Sequence, residues 1–170
     1  MDMHSRNKAA GFALGAMLAL GIVLPLRPAM AQDAAATLVS DADHIRLTRL
    51  VEDFVWRVDN GQAATIHELF TADGALDTGQ PANGSAEIRA WGEGLDSMSL
   101  GIRHVLTNAR FVMTGPDTAT GTSTLTAYLS PQDDTPPTLP FSVGQDIDEF
   151  VRTPDGWRFV SRRWESFFRR

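Results

Sequence analysis

The sequence predicts an α+β domain. A long N-terminal helix and two further helices precede long, mostly antiparallel strands, whose sheet, when strongly curved, can wrap the first helix as a cone-shaped barrel. Three observations carry this expectation. Apolar residues recur with a helical period from about residue 40 to 70 and again after 85. Beyond Leu100 the period falls to two, the signature of strands with one buried face. Helices first and strands afterwards is the order of an α+β layout, not of alternating βα units. A curved sheet of this kind leaves a conical cavity open at one end, and small-molecule sites favour concave, largely apolar places.

The elements follow in chain order. Residues 1–8 carry Arg6 and Lys8, residues 9–26 are uncharged and mostly apolar, and Pro28-Ala29-Met30-Ala31 ends in a small-x-small pattern. This predicts a signal peptide over residues 1–31, cleaved after Ala31, and a periplasmic or secreted protein. No arginine pair precedes the apolar run, so general secretory export is expected. An uncleaved anchor is the alternative, since 18 apolar residues approach the length that spans a bilayer. Three glycines in the run and the Ala-Met-Ala site favour cleavage. Residues 32–39 are expected to be a flexible leader, and residues 40–170 the folded domain.

Ser40 with Asp43 three residues on resembles a capping box, with Asp in place of Glu or Gln. Leu47, Leu50, Val51, Phe54, Val55 and Val58 then form one apolar stripe, while Arg49, Asp53 and Arg57 run along another face as a solvated ladder. Asp59-Asn60-Gly61 stops the helix, with Gly61 free to take the left-handed terminal position. A second helix over residues 62–70 buries Ile66, Leu69 and Phe70 and ends at Ala72-Asp73-Gly74; residues 75–78 read as a short strand. Residues 79–84 read as loop. Ser85 is the expected N-cap of a third helix through Ile88, Trp91 and Leu95, weakened by Gly92 and Gly94. Strands are expected over residues 102–106 with 110–114, then 118–129, 141–152 and 157–164, with a tight turn at Asp155-Gly156. Residues 130–140, with four prolines, read as an exposed loop.

Inventory narrows the chemistry. The chain has 170 residues, 15 Lys+Arg against 21 Asp+Glu, a net charge of -6, and no cysteine. Removing residues 1–31 takes away Asp2, Arg6, Lys8 and Arg27, and leaves 139 residues with 12 basic and 20 acidic side chains, a net charge of -8. Nucleic acid is not an expected partner, because phosphate backbones require clustered cations. The absence of cysteine removes thiolate nucleophiles and thiolate metal sites. Lys8 is the only lysine, so the mature chain has no amine for Schiff-base chemistry. Only His44, His67 and His104 remain, and the first two belong to separate helix surfaces, so no metal site is expected.

Several strings in fixed order carry a family resemblance: Val58-Asp59-Asn60-Gly61-Gln62, then Ile66-His67-Glu68-Leu69-Phe70-Thr71-Ala72-Asp73-Gly74, then Arg103-His104-Val105-Leu106-Thr107-Asn108, then Asp155-Gly156-Trp157-Arg158-Phe159 with Arg162-Arg163. Together they resemble the SnoaL-like group of the nuclear transport factor 2-like superfamily, across about residues 40 to 164. That family shares the cone fold and includes scytalone dehydratase, steroid isomerases, limonene epoxide hydrolase, polyketide cyclases and non-catalytic subunits, so fold does not settle function.

The resemblance implies a catalytic pair. In the scytalone-dehydratase-like branch an Asp and a His face each other in the pocket at positions matching Asp59 and His104. A carboxylate on one imidazole nitrogen fixes the tautomer and leaves the other to exchange a proton with a ligand. The structural alternatives are a helix-stop aspartate and a core histidine satisfied by backbone. This chain departs from the dehydratase at two positions, with Val58 where that enzyme has tyrosine and Ser123 near its second histidine. Scytalone dehydration itself is therefore not expected.

Asp146 lies near a polar substrate-contact position of the dehydratase. Asp146 and Asp148 share one face of a strand; pointing inward they meet the ligand, pointing outward they pair with arginines of the adjacent strand. Val58, Trp91, Ile102, Leu106, Ser123 and Asp146 are the expected substrate-binding residues. Trp56, Trp157 and Trp164 are cavity or core aromatics, core by preference. Arg103 alternates with His104 and is expected to form a structural ion pair, and Asn108 to end a strand. Phe167-Phe168 is expected to cover a partner subunit or to close the pocket, in a dimer or trimer. The resulting expectation is an exported, cofactor-independent dehydratase or isomerase of a small hydrophobic, polyketide- or steroid-like molecule, with no membrane association after cleavage. A non-catalytic periplasmic binding or assembly module is the alternative, and it predicts that Asp59 and His104 do not meet.

Overall fold

The computed structural model describes residues 37–99, 101–130 and 139–169. The expected signal peptide, most of the leader and residues 131–138 of the proline-rich loop lie outside the described residues. In chain order the elements are α1 (Asp41–Asp59), a 3-10 helix (Ala63–Leu69), β1 (Phe70–Asp77), β2 (Pro81–Asn83), α2 (Gly84–Ser97), β3 (Gly101–Met113), β4 (Thr118–Ser130), β5 (Ser142–Thr153) and β6 (Gly156–Arg169). The strands form one six-stranded sheet in the order β2-β1-β6-β5-β4-β3. Every neighbouring pair is antiparallel except β1 and β6, which run parallel. The α+β class holds, with the sheet open between its edge strands β2 and β3 instead of closing into a barrel.

Helix α1 forms where the apolar stripe predicts it, and Leu47, Val51, Phe54, Val55 and Val58 are all buried on it. They pack with Phe70, Phe111, Phe150 and Phe159 of the sheet into one core. Removing these side chains from water is the main favourable term in folding the domain. Four of the rings meet in succession: Phe111 on Phe150, Phe150 on Phe159, and Phe159 on Phe70, with centroids 5.0–5.7 Å apart.

Asp43 does more than complete a cap. The Ser40 hydroxyl accepts from the Asp43 N–H at 3.2 Å, as expected of an N-cap. The Asp43 carboxylate accepts two bonds from Arg152 at 2.9 Å and one from Trp157 Nε1 at 3.1 Å, tying the start of α1 to β5 and β6. Hydrogen bonds from Arg152 and then Trp157 hold its carboxyl far below the usual range. We expect Asp43→Ala to destabilise the domain by about 2–3 kcal/mol in urea denaturation at neutral pH. Because the folded pKa is depressed, this contribution is full above the unfolded pKa near 4 and is lost only as pH falls towards the folded value. The mutant's deficit should therefore persist at mildly acid pH and shrink only in strong acid.

Several local expectations change. The second helix is 3-10, and the residues expected to end it, Ala72-Asp73-Gly74, lie inside β1. The segment expected as loop contains β2. Helix α2 starts at Gly84, whose φ of +74° suits glycine, and Asn83, not Ser85, precedes it; Glu87 accepts the Asn83 N–H at 2.8 Å. Gly92 has a packing reason: a Cβ there would stand 2.1 Å from the Ala63 carbonyl oxygen, so α2 crosses the 3-10 helix at backbone contact. At the end of α2 the Asp96 carboxylate accepts the N–H groups of Ala63 and Ala64, both at 3.0 Å. Arg57, expected on a solvated ladder, joins Asp53, Glu68 and the Thr65 carbonyl, fastening the end of α1 to the 3-10 helix.

The two expected strand pieces around residue 108 are one strand, β3. A register shift between Thr107 and Arg110 marks a bulge in which Asn108 takes φ +55°. Leu38 bridges Val112 on the outer edge of β3, so the last part of the expected leader is tied to the sheet.

Candidate functional site

The end of α1, the first half of β3 and the inner faces of β4, β5 and β6 surround a cavity of about 260 Å³. Its wall is mostly apolar and includes Phe54, Val55, Val58, Trp91, Leu95, Ile102, Leu125 and Trp164; His104, Asp146 and Arg162 are its ionisable groups. Of the expected contact residues, Val58, Trp91, Ile102 and Asp146 line it. Leu106 packs against the core beside it, and Ser123 is buried outside the lining. Trp157 belongs to the core and Trp56 is exposed.

Asp59 and His104, 45 residues apart in sequence, meet. Asp59 Oδ1 lies 2.6 Å from His104 Nδ1, and Asp59 Oδ2 accepts the His104 backbone N–H at 2.9 Å. Both side chains are about nine-tenths buried. The geometry has a local cause. Gly61, at φ +69°, and the Asn60 amide, bonded to the Trp56 carbonyl, terminate α1 without the Asp59 carboxylate, which is left free to face β3. Arg103 makes no ion pair among the described residues; it donates to the backbone carbonyls of Asp59 (2.5 Å) and Ile102 (2.6 Å), clamping helix end to strand. With Nδ1 engaged, Nε2 is the nitrogen of His104 available to a ligand. The other two histidines among the described residues are elsewhere, His44 edge-on to Phe111 and His67 bonded to the Ala64 carbonyl.

The inward alternative for Asp146 and Asp148 holds and the outward, solvated one does not, although an arginine of the adjacent strand pairs with them all the same. The side chains point inward, at 4% and 1% exposure, and pair with an arginine of the adjacent strand. That arginine, Arg162, donates Nη1 to both oxygens of Asp148, at 3.2 and 3.0 Å, and Nη2 to Asp146. Its guanidinium lies 4.5 Å over the Phe54 ring and 5.1 Å over Phe159. Burial pushes Asp148 up to about 7, outweighing Arg162, and it raises Asp146 as well, against the pull of Arg162 and of His104. Sequence reasoning missed the role of Arg162. Two acids at alternate positions on one face of β5 were the available signal, since buried carboxylates require a cation.

Residues 40–163 match the SnoaL-like domain model. The chain belongs to the SnoaL-like domain family. Among curated proteins, no sequence matches it. Similar solved structures include an NTF2-like protein with a cystatin-like fold from Novosphingobium aromaticivorans, 27% identical over 74% of this chain and 82% of that one, with a TM-score of 0.65. A candidate scytalone dehydratase from the same species is 18% identical over 75% and 85%, also at 0.65. Aln2 from a Streptomyces species is 17% identical over 76% and 94%, at 0.67. At these lower identities the likeness is one of fold. This SnoaL-like chain shares the layout with them, and its site must be argued from its own residues.

Proposed function

We propose that this SnoaL-like protein is an exported lyase or isomerase of a small hydrophobic ring compound, polyketide- or steroid-like, that works without an organic cofactor. The observation that carries the proposal is the 2.6 Å contact between His104 Nδ1 and Asp59 at the wall of an apolar cavity. Nε2 of the neutral ring takes a proton from a carbon next to the ligand's carbonyl, and the Asp59 carboxylate stabilises the imidazolium that forms. The same proton then goes to a departing hydroxyl, releasing water, or to another carbon, shifting the double bond. The test is turnover of hydroxylated bicyclic ketones by the wild type and by His104→Ala and Asp59→Asn; unchanged rates in both folded variants would sink the mechanism.

A non-catalytic binding module is the second reading. Its expectation that Asp59 and His104 stay apart is not met, and what favours it is Val58 and Ser123, which stand where the dehydratase pattern has a tyrosine and a second histidine. It predicts binding of the same compounds with no turnover by the wild type.

Export rests on residues 1–31. Expression in a Gram-negative host should yield a periplasmic protein whose intact mass and N-terminal sequence begin at Gln32. A full-length product retained in the membrane fraction would support the anchor instead.

A further inference from the structure

The buried cluster at the cavity wall holds more carboxylates than cations, Asp146 in the lining and Asp148 behind it. Asp146 and Asp148 share a single guanidinium, and Arg162 is the only arginine in the lining among the described residues. Among the same residues, His104 is the one ionisable partner of the Asp59 carboxylate. Two acids thus stand against one permanent cation, Asp59 being matched separately by His104 and by Arg103 at its carbonyl, in surroundings where an unbalanced charge is costly enough that burial holds a proton on Asp148 up to about pH 7. Arg162 is held on both sides by its carboxylates and by two phenyl faces, so it cannot turn to clamp an anionic ligand. Beside it the network is incomplete: Ser123, 2% exposed, stands opposite Asp146 in the β4–β5 register, and its hydroxyl has no partner among the described residues. Trp91, Phe141 and Trp164 supply aromatic wall, a surface that attracts cations.

We propose that the ligand this cavity selects is a small hydrophobic ring compound bearing a basic amine, its ammonium set beside Asp146 and against the tryptophan faces. The proposal rests on the cavity being the ligand site, and not on the Asp59–His104 pair being catalytic. An ammonium brings the missing positive charge. A carboxylate of the same size would add a further negative charge beside Asp146, and an alcohol would fit without gaining the electrostatic term.

Calorimetric titration of the purified protein at neutral pH with naphthylmethylamine, naphthylmethanol and naphthoate tests this. The amine should bind at least about tenfold more tightly than the alcohol and about a hundredfold more tightly than the carboxylate. Asp148→Asn removes an ionisable carboxyl without altering the lining, and at about pH 8, where Asp148 is mostly ionised, should narrow the amine-to-carboxylate ratio severalfold. Naphthoate binding as tightly as the amine, or the alcohol binding tightest, would overturn the charge selection while leaving the cavity as a ligand site. Binding by none of the three would overturn both.

Discussion

His104→Ala should lower turnover by about 10²–10⁴-fold, the range expected when a positioned proton carrier is removed. The thermal unfolding temperature should fall modestly, because Asp59 loses its side-chain partner but keeps the His104 backbone N–H. Asp59→Asn is the sharper variant. It keeps the size of the side chain and can still accept the His104 backbone N–H, but an amide neither fixes the tautomer as firmly nor offsets the imidazolium. A fall in kcat with little change in KM is expected. An equal rise in KM alone, with kcat intact, would assign the pair to binding and leave the chemistry elsewhere.

Arg162→Met should destabilise the domain by about 3–5 kcal/mol at neutral pH, because it strands two buried carboxylates against each other. Methionine fills much of the volume between Phe54 and Phe159, so the loss reports charge more than packing. The pH dependence separates the two. Asp148 has a folded pKa near 7, above its unfolded value, so the folded protein binds the extra proton and stability declines as pH rises from about 4 through 7. Without Arg162 that decline should steepen, and the variant should recover most of its stability near pH 5. Adding Asp148→Asn to Arg162→Met should restore part of the stability at neutral pH, because it relieves the repulsion between the two acids while Asp146 stays unpaired. A deficit that ignores both pH and the second substitution would show that the guanidinium acts as packing alone.

The helical stripe of α1 and the alternation of the long strands were legible in the sequence because each element buries a single face, and that burial sets the period. The Asp59–His104 meeting was legible only through a family pattern, since no local rule joins residues 45 apart. The short elements were not legible. Residues 63–69 take the 3-10 form because Asp96 from α2 caps them and Gly92 lets α2 descend onto them, both distant in sequence. Arg162 was hidden by a register shift. Counting back from the Thr153–Gly156 pair would set Asp148 against Ser161; the shift between Glu149 and Phe150 moves the pairing by one residue and sets Asp148 against Arg162. A hairpin read without its bulge would have placed the charge on the wrong side of the sheet.

The bulge at Asn108 does for β3 what that shift does for β6. Before it the even-numbered residues Ile102, His104 and Leu106 face inward; after it the odd-numbered Phe111 takes that direction, 1% exposed. One strand thus serves the cavity at one end and the aromatic core at the other only because a single extra residue changes its parity between them. Chain length at this point is therefore constrained more tightly than residue identity. Position 108, at φ +55°, favours Asn, Asp or Gly, and a one-residue gap would force a choice between turning His104 out to solvent and turning Phe111 out of the core. Relatives that keep both halves of β3 should align here without insertion or deletion.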